Sequence, residues 1–459
     1  MTTSSRQLHI AMFPWLAFGH IIPYLEVAKL IAQRGHKITL ISTPRNIDRL
    51  PKLADPNLAA SINFLKLTLP HQENLPKNAE ATSDISPDKV QYLKKAFDGL
   101  QDPLSHFLQI SSPDWIIYDF APHWLPPIAA KLGISRVFFF IITSWATCSV
   151  GSSSSAMING DDQRIKPEHF TVPPEWVPFP TNIAFRFHEA KKLLEHVEVN
   201  ESGLSDFVRL GLAISGCDVF ATRGCFELES DWLKLLGELH QKPVTPLGLL
   251  PPQVSLDDNT TDTTIIEWLG EQNRGSVIYV ALGSELTLSK EQVTELALGL
   301  ELSGLPFFWA LRTTANELPD GFEERIKGRG LVWTSWAPQF RILSHDSVGG
   351  FLTHCGWSSV VEGLHFGRAL VMLPFLIDQG LNARFLEDKM LGKEIPRDDQ
   401  NGSFTRNSVA ETLRFVILED QGRIFRENAR EIRKLFGDRE LHDRYIDRFL
   451  DYLQNYKTG

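Results

Sequence analysis

Cysteine is scarce in this chain. There are four in 459 residues: Cys148, Cys217, Cys225 and Cys355. They are widely spaced and form no C-x-x-C pair, which argues against a disulfide framework or a thiolate metal site and for reduced, buried thiols. Basic excess is missing too. With 46 Lys and Arg against 56 Asp and Glu, the formal net charge is -10, so no broad nucleic-acid surface is expected. No apolar run has the length of a bilayer span; the most apolar, 137–143 (VFFFIIT), suits a buried parallel strand. The N-terminal MTTSSRQ runs straight into a strand-like LHIAMF without a basic-then-apolar leader. A cytoplasmic protein that does not insert in membranes is the expectation.

Several chemical signatures are also missing. There is no D-x-D triplet and no H-E-x-x-H, and the adjacent acidic pairs Asp161-Asp162, Asp257-Asp258 and Asp398-Asp399 fall in expected loops. No metal ion and no resident cofactor are therefore expected. A nicotinamide dehydrogenase would place G-x-G-x-x-G after the first strand, where PWLAFGH stands instead. An α/β-hydrolase would need G-x-S-x-G, which does not occur.

What is present is a folded composition, 43% hydrophobic and 22% charged, on a length that calls for two domains. LHIAMF, an amphipathic stretch over 21–33 and KITLIS read as a strand–helix–strand unit of a parallel, doubly wound α/β sheet. A strand DWIIYD ending on Asp119 and the strand VFFFIIT ending on Thr143 continue it. His20, Asp119 and Thr143 thus fall at carboxyl ends of strands, on the rim where such sheets bind ligands. Residues 150–200 are loop-rich and read as an insertion near that rim. The segment 251–264 (PPQVSLDDNTTDTT) is polar and aperiodic, the best candidate for a linker. Beyond it SVIYVAL, PFFWAL, GLVW, GGFLTH and ALVMLP repeat the strand–helix alternation. The expectation is two doubly wound domains, 1–248 and 249–438, facing across a cleft. The helix near 439–459 is expected to pack back on the first.

The longest chemical signal is the run 336–379, WAPQFRILSHDSVGGFLTHCGWSSVVEGLHFGRALVMLPFLIDQ. His354-Cys355-Gly356 follows the strand GFLT, and Trp357 opens a helix. Free N–H groups at the start of a helix, with the hydroxyls of Ser358 and Ser359 and the ring of His354, make an anion site suited to a diphosphate. Glu362, one turn on, suits a ribose diol. Trp336 can stack on a base, and Asp378-Gln379, after a strand end, suits sugar hydroxyls.

This 44-residue run resembles the donor-binding box of plant family-1 UDP-dependent glycosyltransferases, and the resemblance extends from His9 to about Tyr452. It implies a GT-B fold of two Rossmann-like domains and an inverting, metal-free transfer from a UDP-sugar co-substrate to a small-molecule acceptor. By resemblance, Trp336 stacks on uracil with Ala337 and Gln339 assisting. Glu362 holds the ribose. His354, Gly356, Trp357 through its backbone, Ser358, Ser359 and Ser284 hold the diphosphate, and Asp378, Gln379 and Thr143 meet the sugar. His20 would be the base that deprotonates the acceptor hydroxyl, since imidazole titrates near neutrality, with Asp119 fixing its tautomer. Two positions depart from the family's pattern: Ser358 stands where most members have Asn, and Phe18 stands where many have a polar residue. Phe18 and Trp145 are expected to line the acceptor pocket.

Gln379 resembles the residue of members that use UDP-glucose, so the resemblance implies glucose as the sugar. The segments MFPWLAFGHIIPYLEVAKLIAQRGH, TPRNIDRLPKL and SPDWIIYDF resemble the subgroup that extends existing flavonoid and terpenoid glycosides, often through 1→2 sugar–sugar bonds. UDP-rhamnose or UDP-xylose as donor, and a bare aglycone as acceptor, are the alternatives within the family. A non-catalytic UDP-sugar binder is the alternative outside it.

Overall fold

Thirteen short strands, most of them buried along their length, organise the described part of the chain. They are seen in a computed structural model that describes residues 6–251, 263–283, 286–311 and 318–456. The first seven are β1 (His9–Phe13), β2 (Lys37–Ser42), β3 (Ile62–Lys66), β4 (Trp115–Tyr118), β5 (Ser135–Phe140), β6 (Val219–Thr222) and β7 (Val244–Pro246). They form one parallel sheet in the order β3-β2-β1-β4-β5-β6-β7. The other six are β8 (Val277–Ala281), β9 (Phe307–Ala310), β10 (Gly330–Trp333), β11 (Val348–Thr353), β12 (Ala369–Met372) and β13 (Gly392–Glu394). They form a second parallel sheet in the order β10-β9-β8-β11-β12-β13. Winding reverses between β1 and β4 in one sheet and between β8 and β11 in the other. Each reversal opens a crevice at the strands' carboxyl ends, where doubly wound sheets take their ligands.

The strands read as continuous apolar runs because helices cover both faces. Phe138 and Phe139 of β5 point to opposite faces and neither has exposed surface. Burying each contributes about 1.5–3 kcal/mol. The helix after β1, Phe18–Ala32, starts three residues before the expected 21 and lays Tyr24, Leu25, Val27, Ala28 and Ile31 on the sheet. The Tyr24 hydroxyl meets its hydrogen-bond need on the Phe139 carbonyl at 2.8 Å. Before β4 lie two helices, Val90–Asp98 and Gln101–Ser111, broken at Gly99, where a Cβ would run into Pro70. β7 and β13, three residues each, were not anticipated. They are edge strands too short to show a period, and β7 ends on a proline that only an edge tolerates.

Two compact units result. The first comprises the chain up to Ile165, Leu193–Leu250 and the C-terminal stretch from Arg439. The second comprises Lys166–Lys192 and Pro251–Asp438. The assignment of all of 1–248 to one domain is therefore corrected: Lys166–Lys192 folds with the second unit. Ion pairs whose acids are buried, Arg186 with Glu394 and Glu189 with Arg384, tie it to residues about two hundred positions on. The final helix, Arg439–Asn455, sits in the first unit with Tyr445, Ile446, Phe449, Leu450 and Leu453 buried. Its Tyr445 hydroxyl accepts the Phe226 N–H at 2.9 Å and donates to Glu227 at 2.7 Å. The expected linker lies, but for its first and last residues, outside the described residues. Among the described residues no helix is long and apolar enough to cross a membrane.

Candidate active site

In the first unit the crevice is framed by the ends of β1 and β4, which pair in register with Phe13 beside Tyr118. Asp119 follows β4 directly, and the loop after β1 folds over it before the helix Phe18–Ala32 begins. Asp119 is fully buried, yet its carboxylate is met on three sides. Oδ2 accepts the Trp15 N–H at 2.7 Å and lies 2.8 Å from His20 Nδ1, while Oδ1 accepts the Ala121 N–H at 3.2 Å. A carboxylate only accepts, so His20 carries its proton on Nδ1 and keeps the Nε2 lone pair. The His20 side chain retains 14% exposure, and the Phe120 ring lies 5.7 Å from its own. A buried acid holding a partly exposed imidazole in one tautomer is the arrangement a proton-accepting base requires.

The support behind this pair was not anticipated. Arg209 has no exposed surface; it grips Asp98 through two 2.7 Å bonds and donates to the Ala121 carbonyl at 2.7 Å. It thereby fixes the loop whose N–H groups hold Asp119. A lone arginine in a helical pattern gives no such signal.

In the second unit β11 ends at Thr353, and Cys355 adopts a left-handed φ of 66° that turns the chain into the helix Trp357–His365. Its N-cap is Gly356, which offers no capping side chain, and a helix start is where backbone N–H groups can meet an anion. His354 packs against two glycines. A Cβ on Gly283, itself at φ 83°, would lie 2.6 Å from His354 Nε2, and one on Gly356 would be closer still. Burial lowers the His354 pKa to about 4, with the Ala281 backbone acting weakly the other way, and its Nδ1 has no hydrogen-bond partner. The ring is neutral at physiological pH and presents dipoles rather than charge. Ser358 and Ser359 are half-buried in the first turn, while the Trp357 indole is buried, so only its backbone serves the site. Ser284 lies outside the described residues.

Gln339, Ser359 and Glu362 converge. Gln339 Nε2 donates to Glu362 at 2.7 Å and to Ser359 at 3.4 Å, and its Oε1 accepts from the Tyr279 hydroxyl at 3.3 Å. Gln339 thus orients Glu362. Trp336 is 72% exposed on the loop after β10, with its carbonyl held by Trp333 Nε1 at 3.2 Å. Ala337 accepts the Gln339 N–H at 2.9 Å and closes the turn. Its open face makes Trp336 a stacking surface.

The residues expected to meet the sugar are more deeply set. Gln379 is 5% exposed, and its Oε1 accepts the N–H groups of Phe375 and Leu376 at 3.0 Å each. It spends that oxygen starting its own helix, Ile377–Asp388, and only its amide nitrogen is left for a ligand. Asp378 is half-buried and accepts from Asn382 at 3.2 Å; Asn382 also donates to the Cys355 carbonyl at 3.1 Å. Asn382, which the sequence reading overlooked, lies one turn after Asp378, a spacing that puts the two side chains together. Thr143 is 1% exposed, and its carbonyl starts the helix Ser144–Val150 by accepting from Thr147. Trp145 is fully buried against Phe226–His240. Thr143 and Trp145 thus stand at the start of the helix after β5 with little or no exposed surface. Phe18 remains at the rim, half-buried under the Arg49 guanidinium at 5.9 Å from its ring centre.

Among the described residues no three His, Cys, Asp or Glu side chains are grouped to hold a metal ion. Asp162 pairs with Arg164, and Asp398 caps the turn at Gln400 and Asn401. Asp257-Asp258 lies outside the described residues.

Comparison with known proteins bears on these two sites together. The family model "UDP-glucoronosyl and UDP-glucosyl transferase" matches residues 262–449. UDP-glycosyltransferase 91D2 of Stevia rebaudiana is 52% identical over 457 residues, covering 98% of this chain and 95% of its own. Soyasaponin III rhamnosyltransferase of Glycine max is 45% identical over 99% of this chain and 97% of its own. Among solved structures, Medicago truncatula UGT71G1 complexed with UDP-glucose superposes with a TM-score of 0.78 at 20% identity, covering 99% of this chain and 100% of that one.

Proposed function

Since this chain belongs to the UDP-glycosyltransferase family, within its plant 91 group, and is a UDP-sugar glycosyltransferase, we propose that it transfers glucose from UDP-glucose to a sugar hydroxyl of a terpenoid or flavonoid glycoside. The bond formed is a 1→2 sugar–sugar link. His20 Nε2 takes the proton of the attacking hydroxyl, and Asp119 stabilises the imidazolium that forms. The oxygen attacks the anomeric carbon on the face opposite the departing UDP, so the configuration inverts. The leaving diphosphate gathers charge as the bond breaks, and the first turn of Trp357–His365 with neutral His354 receives it. Glu362 takes the ribose, Trp336 the base, and Asp378 with the Gln379 amide nitrogen the sugar. The reading calls for no metal, because the diphosphate is already an activated leaving group and helix dipoles meet its charge.

The observation that carries this reading is the 2.8 Å His20–Asp119 contact at the end of β1 and β4. A pure UDP-sugar binder has no use for a buried acid holding an imidazole in one tautomer. Support for a glycoside acceptor comes from the soyasaponin relative, since a saponin already carries sugar. That same relative favours a second reading, UDP-rhamnose as donor. A matrix of UDP-glucose, UDP-rhamnose and UDP-xylose against aglycones and their glycosides, followed by product mass, decides both. Glucosyl products on glycosides are expected. Turnover of bare aglycones with none of glycosides would refute the acceptor class, and exclusive use of UDP-rhamnose the donor.

A further inference from the structure

Residues Lys166–Lys192 leave the first unit after Ile165 and return to it at Leu193, and between those points they fold with the second unit. The last part of this strap enters a cluster of charges whose acids, Glu189 and Glu394, are buried. Arg186 holds Glu394 through bonds of 3.1 and 2.8 Å. Glu189 accepts the Arg186 N–H at 2.8 Å and pairs with Arg384. Arg384 in turn donates to the Gly380 carbonyl and lies 3.8 Å from Glu394. Arg397 completes the group, donating to the Pro374 carbonyl and, at 2.6 Å, to that of Gly402. Buried pairs of this kind are costly to break, because the remaining charge has no water to turn to.

The position of the cluster gives it a use. Arg384 stands on Ile377–Asp388, the helix whose opening turns carry Asp378, Gln379 and Asn382. Gly380, in its first turn, has no side chain where the Glu189 carboxylate rests; a Cβ there would overlap that carboxylate. The strap's acid is therefore seated directly on the turn that presents Asp378, near the positive end of the helix dipole. Arg397 meanwhile pins the Pro374 carbonyl on the loop that leads into the same turn. On the opposite side, Asn382 ties Asp378 to the Cys355 carbonyl of the diphosphate loop.

We propose that Glu189, acting through Gly380 and Arg384, is a positioning residue for the donor's sugar. It sets the orientation of the turn carrying Asp378, and so the affinity for the hexose half of the donor but not for its UDP half. This rests on the reading that Asp378 meets the sugar. A stretch of chain that begins and ends in the first unit thereby tunes donor selectivity in the second.

The test is calorimetric titration of the full-length protein with UDP and, separately, with UDP-glucose, for Glu189→Gln and Asp378→Ala, with folding checked by thermal melting. The expectation for Glu189→Gln is UDP-glucose binding weakened at least about fivefold while UDP stays within about twofold, with KM for UDP-glucose raised. Equal weakening of both ligands, or of neither, overturns the proposal. If Asp378→Ala separates the two ligands and Glu189→Gln does not, this inference alone fails. If Asp378→Ala does not separate them, the reading of Asp378 fails and takes the inference with it. Should Glu189→Gln not fold, Glu189→Gln with Arg384→Leu leaves neither charge unpaired and carries the same expectation.

Discussion

Replacing Asp119 by Asn tests the working of the base with almost no change of shape. Three donors converge on the carboxylate, from Trp15, His20 and Ala121, but an amide offers one acceptor oxygen and one donor group. With its oxygen toward Trp15 and His20, the amide sets its NH2 against the Ala121 N–H. Turned over, it opposes the Trp15 N–H and forces His20 into the tautomer with no lone pair on Nε2. The first orientation costs less, and in it geometry survives while charge is lost. At the observed 2.8 Å and an effective dielectric near 20, the imidazolium–carboxylate attraction is about 6 kcal/mol. The amide dipole and water at the partly exposed ring recover some of that, leaving a loss of about 3–5 kcal/mol, on the order of 10² to 10⁴ in kcat. KM for the UDP-sugar should stay within about twofold, because Asp119 acts on the acceptor's proton and not on the donor. The orphaned donor should lower stability by about 1–3 kcal/mol, visible as a reduced Tm. The assay is initial-rate UDP release with UDP-glucose and the best glycoside from the acceptor matrix. An Asp119→Asn variant that keeps about half the wild-type kcat would refute the role assigned to the carboxylate.

Other expectations concern the donor side and the core. Trp336→Ala removes an indole that is already 72% exposed, so Tm should not move, whereas loss of base stacking should weaken UDP by about 1–3 kcal/mol, some 5- to 150-fold in Kd; a Tm drop with unchanged UDP affinity would show the indole to be structural. Glu229 is a buried acid beneath the rim, bonded to Ser144, and burial raises its pKa from 4.5 to about 8. The folded chain keeps a proton there that the unfolded chain has released. Its contribution is thus fully present below about pH 4.5 and is lost as pH rises through about 8, with a slope approaching about 1.4 kcal/mol per unit. Glu229→Gln stays uncharged, so its Tm should fall less than the wild type's between about pH 6 and 9; parallel curves would contradict this.

The sequence showed most where chemistry and backbone coincide. The HCGW turn was readable because glycine beside a strand end and a helix start leaves few conformations, and the structure adds only that His354 needs Gly283 as well. His20 and Asp119 were readable because each closes a recognisable strand or opens its helix, although they lie 99 residues apart. What escaped depends on partners distant in sequence. Thr143 and Trp145 follow a rim strand, but their burial depends on the packing of the helix Ser144–Val150 against the distant Phe226–His240. Gln379 looked like a sugar ligand, yet half of its amide caps the helix it opens. Lys166–Lys192 reads as loop by composition, and what ties it to the second unit are ion pairs to Arg384 and Glu394 and bonds to Asp399, all distant in sequence. β13 reads Gly-Lys-Glu, a polar triplet that becomes a strand because Glu394 is neutralised by arginines.

The most direct measurement is product formation by His20→Ala beside the wild type, with UDP-glucose and a glycoside, read as acceptor mass and released UDP. The account predicts that the wild type yields one UDP for each acceptor gaining one hexose. It predicts that His20→Ala binds UDP with unchanged affinity but turns over at less than about one hundredth of the rate. Near-full turnover by His20→Ala would contradict it.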